Sequence, residues 1–330
     1  MNWEHKICVA PMMDYTDRHC RFFLRLLSPN AFLYSEMINA NAVVNGNREK
    51  LLAFDSFESP VGLQLGGSDP EILAKASKIG SSMGYQEINL NCGCPSPRVV
   101  SGKFGASLME HPKLVAECVK AMQDSTELEV TIKHRIGVDS NVDYNFVSNF
   151  VDIVHNAGCN IFIVHARNAM LGGLSPKKNR AIPPLKMHFV NQLKQDFPNL
   201  KFIANGGLST VNECLDLLSS KVKIGNKKPV DGVMIGRETI QNPWILVHLE
   251  KALFFDNTGL PKSPDRLIEY LQKYFETQVK RGFNPYQITK NWLYLFKNYP
   301  GSKIWRSSLA AGLCPLEAYK KANLALSFGS

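Results

Sequence analysis

Apolar and β-branched residues cluster in eight short runs over the first 240 positions, at residues 6–12, 31–37, 60–66, 85–91, 128–134, 160–166, 200–205 and 231–236. Their starts lie 25 to 43 residues apart, which leaves room for one strand, one helix and two loops each time. Helix-spaced apolar positions fall between several of them. Residues 69–82 open with Ser68-Asp69-Pro70, residues 144–156 close at Gly158, and 112–123 and 209–219 follow the same pattern. Strict alternation with eight strand-like runs predicts an α/β fold of the (β/α)8 TIM-barrel kind. An open doubly wound sheet alternates too, but the first run leaves through Pro11-Met12-Met13-Asp14, without a G-x-G-x-x-G turn.

Strand signals cease after Trp244. Ser263-Pro264-Asp265 caps an amphipathic helix that carries Leu267, Ile268, Leu271, Tyr274, Phe275 and Val279 on one face and stops at Gly282. Helical patterns at 285–298, 302–311 and 315–327 complete an all-helical tail. The pattern thus predicts two domains, a barrel over residues 1–245 and a helical domain over 246–330.

Charge sharpens that division. The net charge is +9, yet residues 1–250 hold 26 Lys and Arg against 24 Asp and Glu, whereas residues 251–330 hold 12 against 5. The tail also has 14 of the 32 aromatic residues. A basic, aromatic-rich segment suits a polyanion with bases to stack on, although helical packing would use the same aromatics. No apolar run reaches the roughly 18 residues a bilayer span needs, and the start Met1-Asn2-Trp3-Glu4-His5-Lys6 lacks the layout of a signal peptide. The expectation is a cytoplasmic protein with no membrane association. Eight scattered cysteines form no C-x-x-C pair, and Cys92 and Cys94 find no nearby His or Cys to complete a tetrahedral set, so no metal site is expected.

The candidate chemistry sits where the runs end. In a barrel these ends converge on one mouth, and here they read Pro11-Met12-Met13, Glu36, Gln64, Asn91 with Cys94, Lys133 with Arg135, His165 with Arg167, Asn205-Gly206-Gly207 and Gly236-Arg237. The last two follow the seventh and eighth strands, where glycine N–H groups and Arg237 suit a phosphate. Lys133 at a buried strand end requires a partner. It could stabilise negative charge on an electron-deficient ring such as a flavin, or form an ion pair with Glu36 or Glu87. Gln64 and His165 share that location and are assigned to cofactor contact, against the alternatives of a backbone cap and a core histidine.

In Glu87-Ile88-Asn89-Leu90-Asn91-Cys92-Gly93-Cys94-Pro95-Ser96-Pro97 an alternating run breaks at Gly93 and two prolines, presenting Cys94 at a strand end. As a nucleophile Cys94 needs a base, for which His165 is the candidate. As a zinc ligand it lacks companions, and as a proton donor it needs only to keep its proton, which a thiol pKa of about 8.5 allows. Cys92 reads as a bystander.

These residues resemble the tRNA-dihydrouridine synthase family. The resemblance is carried by Ala10-Pro11-Met12-Met13-Asp14, Gln64-Leu65-Gly66-Gly67, Asn89 through Ser96, Lys133-His134-Arg135-Ile136-Gly137, Val164-His165-Ala166-Arg167, Asn205-Gly206-Gly207 and Ile235-Gly236-Arg237, in the family's order along nearly the whole chain. Residues 172–185 are similar to the insertion of the bacterial branch acting on uridines 20 and 20a. The resemblance implies an FMN-binding barrel and a helical tRNA-binding domain that use NADPH to reduce the C5–C6 bond of uracil. It implies no obligate protein partner. It assigns FMN contact to Pro11, Met12, Met13, Gln64, Lys133, His165, Asn205, Gly206, Gly207, Gly236 and Arg237. Cys94 matches the proton donor, Asn91 is placed to touch the uracil, and Lys177, Arg180, Lys303 and Arg306 match positions that grip tRNA. Pro97 departs from the pattern, where an acidic residue is expected, and so does Asn291-Trp292-Leu293-Tyr294-Leu295-Phe296, which replaces His-Met-Leu-Gly-Leu-Phe. Alternative functions are the same reaction at another D-loop uridine, a flavin reductase of small pyrimidines, or a non-catalytic tRNA-binding barrel.

Overall fold

A computed structural model describes residues 4–172, 174–219, 228–254 and 263–323. Gly173 of the insertion and residues 324–327 of the last helical pattern lie outside the described residues. By contact the chain forms two compact units, one of residues 1–13, 32–54 and 59–236 and the other of residues 14–31, 55–58 and 237–330.

All eight strand runs become parallel strands of one sheet. In chain order they are β1 (Ile7–Val9), β2 (Leu33–Tyr34), β3 (Ile38–Asn39), β4 (Val61–Gly66), β5 (Glu87–Cys92), β6 (Glu129–Arg135), β7 (Ile161–His165), β8 (Lys201–Asn205) and β9 (Gly232–Ile235). Of the second run only β2 is regular; β3 lies just beyond its predicted end at Met37, and both pair with β4. The sheet runs β1-β9-β8-β7-β6-β5-β4-β2. A parallel bridge between Cys8 and Phe32 joins β1 to β2 and brings the ring round to a TIM barrel.

Strand alternation sorts the interior into two walls. Cys8, Ala10, Phe32, Tyr34, Ile161, Ile163, Ile203 and Met234 pack as one apolar cluster. On the neighbouring strands the buried positions Gln64, Glu87, Asn89, Asn91 and Thr131 form a polar wall instead. Gly62 faces this interior, since an added Cβ there would stand 2.7 Å from the Tyr34 ring.

The helices between the strands start where their caps dictate. Asp69 accepts from the N–H groups of Glu71 and Ile72 and opens Pro70–Ser82, with proline at a position that has no N–H to lose. Asp143 caps Tyr144–Asn156, and Thr210 with Glu213 forms a capping box on Val211–Leu218. Pro112–Asp124 also matches its predicted span, whereas Met187–Asp196 lacks a side-chain cap and gave no such signal.

The second unit is helical and takes in Arg18–Leu27 together with Trp244–Leu253, Pro264–Lys280, Pro285–Thr289, Ser302–Ala310 and Pro315–Ala322. The predicted helix at 285–298 is regular only to Thr289, and turns follow it. Trp292 and Trp305 are fully buried there, and Trp305 Nε1 donates to Trp292 O at 3.0 Å. This explains the departure at 291–296: Trp292 is core, and the buried Asn291 donates to Tyr15 O at 3.1 Å. No helix among the described residues is long and apolar enough to cross a membrane.

Ile203 lies in the apolar wall with no exposed surface. Ile203→Ala is expected to lower stability by about 2–5 kcal/mol, read as a shift of the denaturant midpoint. An unchanged midpoint would contradict the packed interior.

Candidate active site

The carboxyl ends of the strands bring most of the singled-out residues together. In register, Asn91 of β5 pairs with Lys133 of β6, and Gln64 of β4 pairs with Asn89. Arg135 pairs with His165 of β7, which in turn pairs with Asn205 of β8. Gly206 and Gly207 follow β8, Pro11 and Met12 follow β1, and Gly236 follows β9.

Cys94 stands on a short loop that is tied down on three sides. Asn91 Oδ1 accepts from the N–H groups of Gly93 and Cys94, at 3.1 and 2.9 Å. Arg135 Nε donates to Gly93 O at 3.1 Å, and Ala106 N donates to Cys94 O at 3.0 Å. Gly105 beside it has φ +71°, and a Cβ there would come within 2.5 Å of Cys94 O, so only glycine fits. The thiol donates to Ser96 Oγ at 3.6 Å, so its hydrogen-bond partner is Ser96 and not His165. Pro97 takes the first turn of the helix Pro97–Ser101, where its missing N–H costs nothing. Cys92 is fully buried on the other face of β5, and burial pushes its thiol well above the ordinary range. It is chemically silent.

The mouth is cationic. Lys133 Nζ donates to Asn205 Oδ1 at 3.0 Å, while the oxygens of Glu87, one of its proposed ion-pair partners, are taken by Tyr34, Thr131 and His5. Desolvation, then the neighbouring Arg135, brings the Lys133 ammonium down to about 7 from 10.5. Arg135 falls to about 10 through burial. His165 is held well below 6.5 by burial and then by Arg135, Lys133, Arg167 and Arg180, so it is neutral at pH 7. The arrangement therefore favours an anion, because a negative charge would relieve each of these penalties.

Among the glycines Gly207 is exposed, Gly236 half-buried and Gly206 buried. Gly206 and Gly207 have φ +115° and +72°, and a Cβ on Gly206 would press within 2.8 Å of the His165 ring. In front of Gly236 an added Cβ would meet nothing closer than Ala10 Cβ at 3.7 Å. Met13 is 52% exposed. Arg237 is exposed and precedes the helix Glu238–Gln241 of the second unit.

The segment after β7 wraps around one buried residue that the sequence reading passed over. Asn179 Oδ1 accepts from Met170 N at 2.8 Å, and its Nδ2 donates to the carbonyls of Met170 and Leu174. Arg135 Nη1 holds the same segment through Asn168 O and Asn179 O, both at 3.2 Å. With Asn179 turned in, Lys177 and Arg180 are exposed on either side of it. Arg180 thereby joins the field at His165 and Arg135. Lys303 is exposed and Arg306 half-buried on the second unit's helix Ser302–Ala310. Gly105, Asn89 and Thr131 were also missed as site residues, while Arg135 was read only as a strand-end residue and Glu87 only as a partner for Lys133. The usable signal was polar side chains at every second position of β5 and β6.

The family model for dihydrouridine synthases matches residues 8–327. The tRNA-dihydrouridine(20/20a) synthase of Synechocystis is 48% identical over 304 residues, covering 92% of this chain and 88% of that protein. The protein of the same name from Xanthomonas campestris is 46% identical, covering 93% and 88%, and that of Escherichia coli K12 is 45% identical, covering 94% and 87%. With a barrel whose strand ends gather the thiol loop, the cations and the glycines, and with this match along nearly its whole length, the chain belongs to the dihydrouridine synthase family.

Proposed function

We propose that this protein is an FMN-dependent tRNA-dihydrouridine synthase that reduces uridines 20 and 20a of tRNA with NADPH as reductant. The observation that supports it most is the joining, at one barrel mouth, of the Cys94 loop with the cations Lys133 and Arg135 and the glycine pair Gly206-Gly207. The donor set suits FMN: glycine N–H groups for a phosphate, and a desolvated ammonium for a ring that gains negative charge. In this reading Pro11, Met12, Met13, Gln64, Lys133, His165, Asn205, Gly206, Gly207, Gly236 and Arg237 hold the cofactor. Residues 1–245 carry the chemistry and residues 246–330 bind tRNA, and such a substrate implies the cytoplasm.

The chemistry supplied by bound, NADPH-reduced flavin is hydride delivery to C6 of uracil. The chain's own part is the other half of the addition. Negative charge left on the ring is quenched when the Cys94 thiol gives its proton to C5. The thiolate so formed lies in the field of Lys133 and Arg135, which each interact favourably with it, and solvent returns the proton. His165, being neutral, offers a hydrogen bond without competing as a proton donor. Lys177, Arg180, Lys303 and Arg306 contribute tRNA contacts, which offset the few kcal/mol needed to extrude a base.

Cys94→Ala is expected to cut dihydrouridine formation in unmodified tRNA by about a hundredfold or more, while NADPH still bleaches the flavin. Wild-type turnover by this variant would remove the proton-donor assignment. Efficient turnover of free uridine relative to whole tRNA would point to a small-pyrimidine reductase instead.

The Lys133 ammonium gives a pH test. Its folded pKa lies near 7, below the ordinary 10.5, so between those values the unfolded chain binds more protons and this site's contribution to stability rises with pH. A bound anion favours the protonated form, so binding takes up a proton above pH 7. FMN affinity, followed by flavin fluorescence, should therefore fall as pH rises from about 7 to about 9, and Lys133→Met should bind more weakly with a flatter profile. A rising profile would contradict the role of Lys133.

Affinity for tRNA should fall by about 0.7 to 0.9 log units per log unit of salt for each phosphate contact, and Lys177→Ala with Arg180→Ala should lower that slope. A slope unchanged by the double variant would take both residues out of the tRNA contact.

A further inference from the structure

Along the polar wall of the barrel five side chains form a continuous line of hydrogen bonds that all point one way. At its foot is Glu87, 1% exposed. Its Oε1 accepts from Tyr34 OH at 2.8 Å and from Thr131 Oγ1 at 2.7 Å, and its Oε2 is hydrogen-bonded with His5 Nε2 at 2.6 Å. Burial and the Glu87 charge push the Tyr34 phenol well above its usual range, so it remains a donor. A hydroxyl has one proton. Because Thr131 gives its proton to Glu87, it can only accept from Asn89, whose Nδ2 lies 2.7 Å away.

The rest follows by exhaustion of donors and acceptors. Asn89 Oδ1 accepts from Gln64 Nε2 at 2.8 Å, and Gln64 Oε1 accepts from Asn91 Nδ2 at 2.9 Å. Asn91 Oδ1 is then turned toward the N–H groups of Gly93 and Cys94. A flipped Asn91 amide would set N–H against N–H at Cys94 and oxygen against oxygen at Gln64. The orientation that holds the thiol loop is therefore specified from the opposite end of the line, by a carboxylate that can only accept.

We propose that Glu87, acting through Thr131 and Asn89, is a positioning residue for the Cys94 loop: the relay fixes the Asn91 amide, and the amide fixes where the thiol stands. Its catalytic consequence rests on the reading of Cys94 as proton donor. The relay is separate from tRNA gripping, which in that reading belongs to exposed lysines and arginines. Damage to it should slow the step that uses the thiol and leave affinity for tRNA alone.

Thr131→Val keeps the side-chain volume and deletes the hydroxyl that joins Glu87 to Asn89, whereas Thr131→Ser keeps that hydroxyl. In the purified full chain, the rate of Cys94 alkylation by iodoacetamide, assigned by peptide mass mapping, is expected to change about fivefold or more in Thr131→Val and to be restored in Thr131→Ser. Dihydrouridine formation at saturating tRNA should fall about tenfold in Thr131→Val, with KM for tRNA unmoved. Should Thr131→Val not fold, Asn89→Ser, too short to reach both Gln64 and Thr131, carries the same expectations. Wild-type alkylation of Cys94 in the relay variant, or equal change in Thr131→Val and Thr131→Ser, overturns the proposal. Alkylation needs neither flavin nor tRNA. If the wild-type protein made no dihydrouridine, the functional reading would fall while the relay was still decided by the thiol.

Discussion

A carboxylate taken out of water inside a barrel costs several kcal/mol unless each oxygen meets a donor. Glu87 is hydrogen-bonded with His5, Tyr34 and Thr131, and these partners set the character of the surrounding wall. Thr131 requires a donor of its own, which brings in Asn89, then Gln64, then Asn91. Opposite this wall the interior is apolar, with Ile163, Ile203 and Met234 filling it. Polar satisfaction on one side and close packing on the other leave the amide of Asn91 a single orientation, and the Cys94 loop hangs from that amide.

Above this ordered interior the mouth is deliberately unfavourable to itself. Lys133, Arg135 and His165 are crowded and desolvated, and their lowered pKa values express first the burial of each group and then the neighbouring positive charges. Arg135 offsets part of the cost by donating to Gly93 O, Asn168 O and Asn179 O. In doing so it braces the thiol loop and the segment that carries Arg180 with one side chain. Sites that bind charge commonly hold such strain in reserve, because the ligand relieves it.

The second unit contains a buried ion pair and several buried hydrogen bonds to carboxylates and carbonyls. Arg21 Nε meets Glu58 Oε2 at 2.8 Å with both side chains buried, and Arg25 donates to Glu58 O. Ser28 and Asn30 bond to Glu250. These contacts tie Arg18–Leu27 to the turn at Glu58, and the residues just after it to the helix Trp244–Leu253, 220 residues further on. A linear reading of composition has no access to such an association, since nothing local in residues 14–31 differs from a helix that follows a barrel strand.

Read from the sequence alone, the eight strands, their order of polar endings and the main capped helices were all legible, because period-two and helical apolar spacing and cap residues are local properties of the chain. So was the placing of Cys94, Lys133, His165 and the glycine pair at strand ends, which barrel topology sends to one mouth. Other features needed the folded chain: the extra strand β3 beyond the second run, the inward turn of Asn179, the fit of Gly105 against Cys94 O, and the relay from Glu87. Each depends on which atom faces which once the chain has folded. A hydrogen bond's direction is decided by its neighbours' remaining donors and acceptors, and only the closed barrel brings those neighbours within reach.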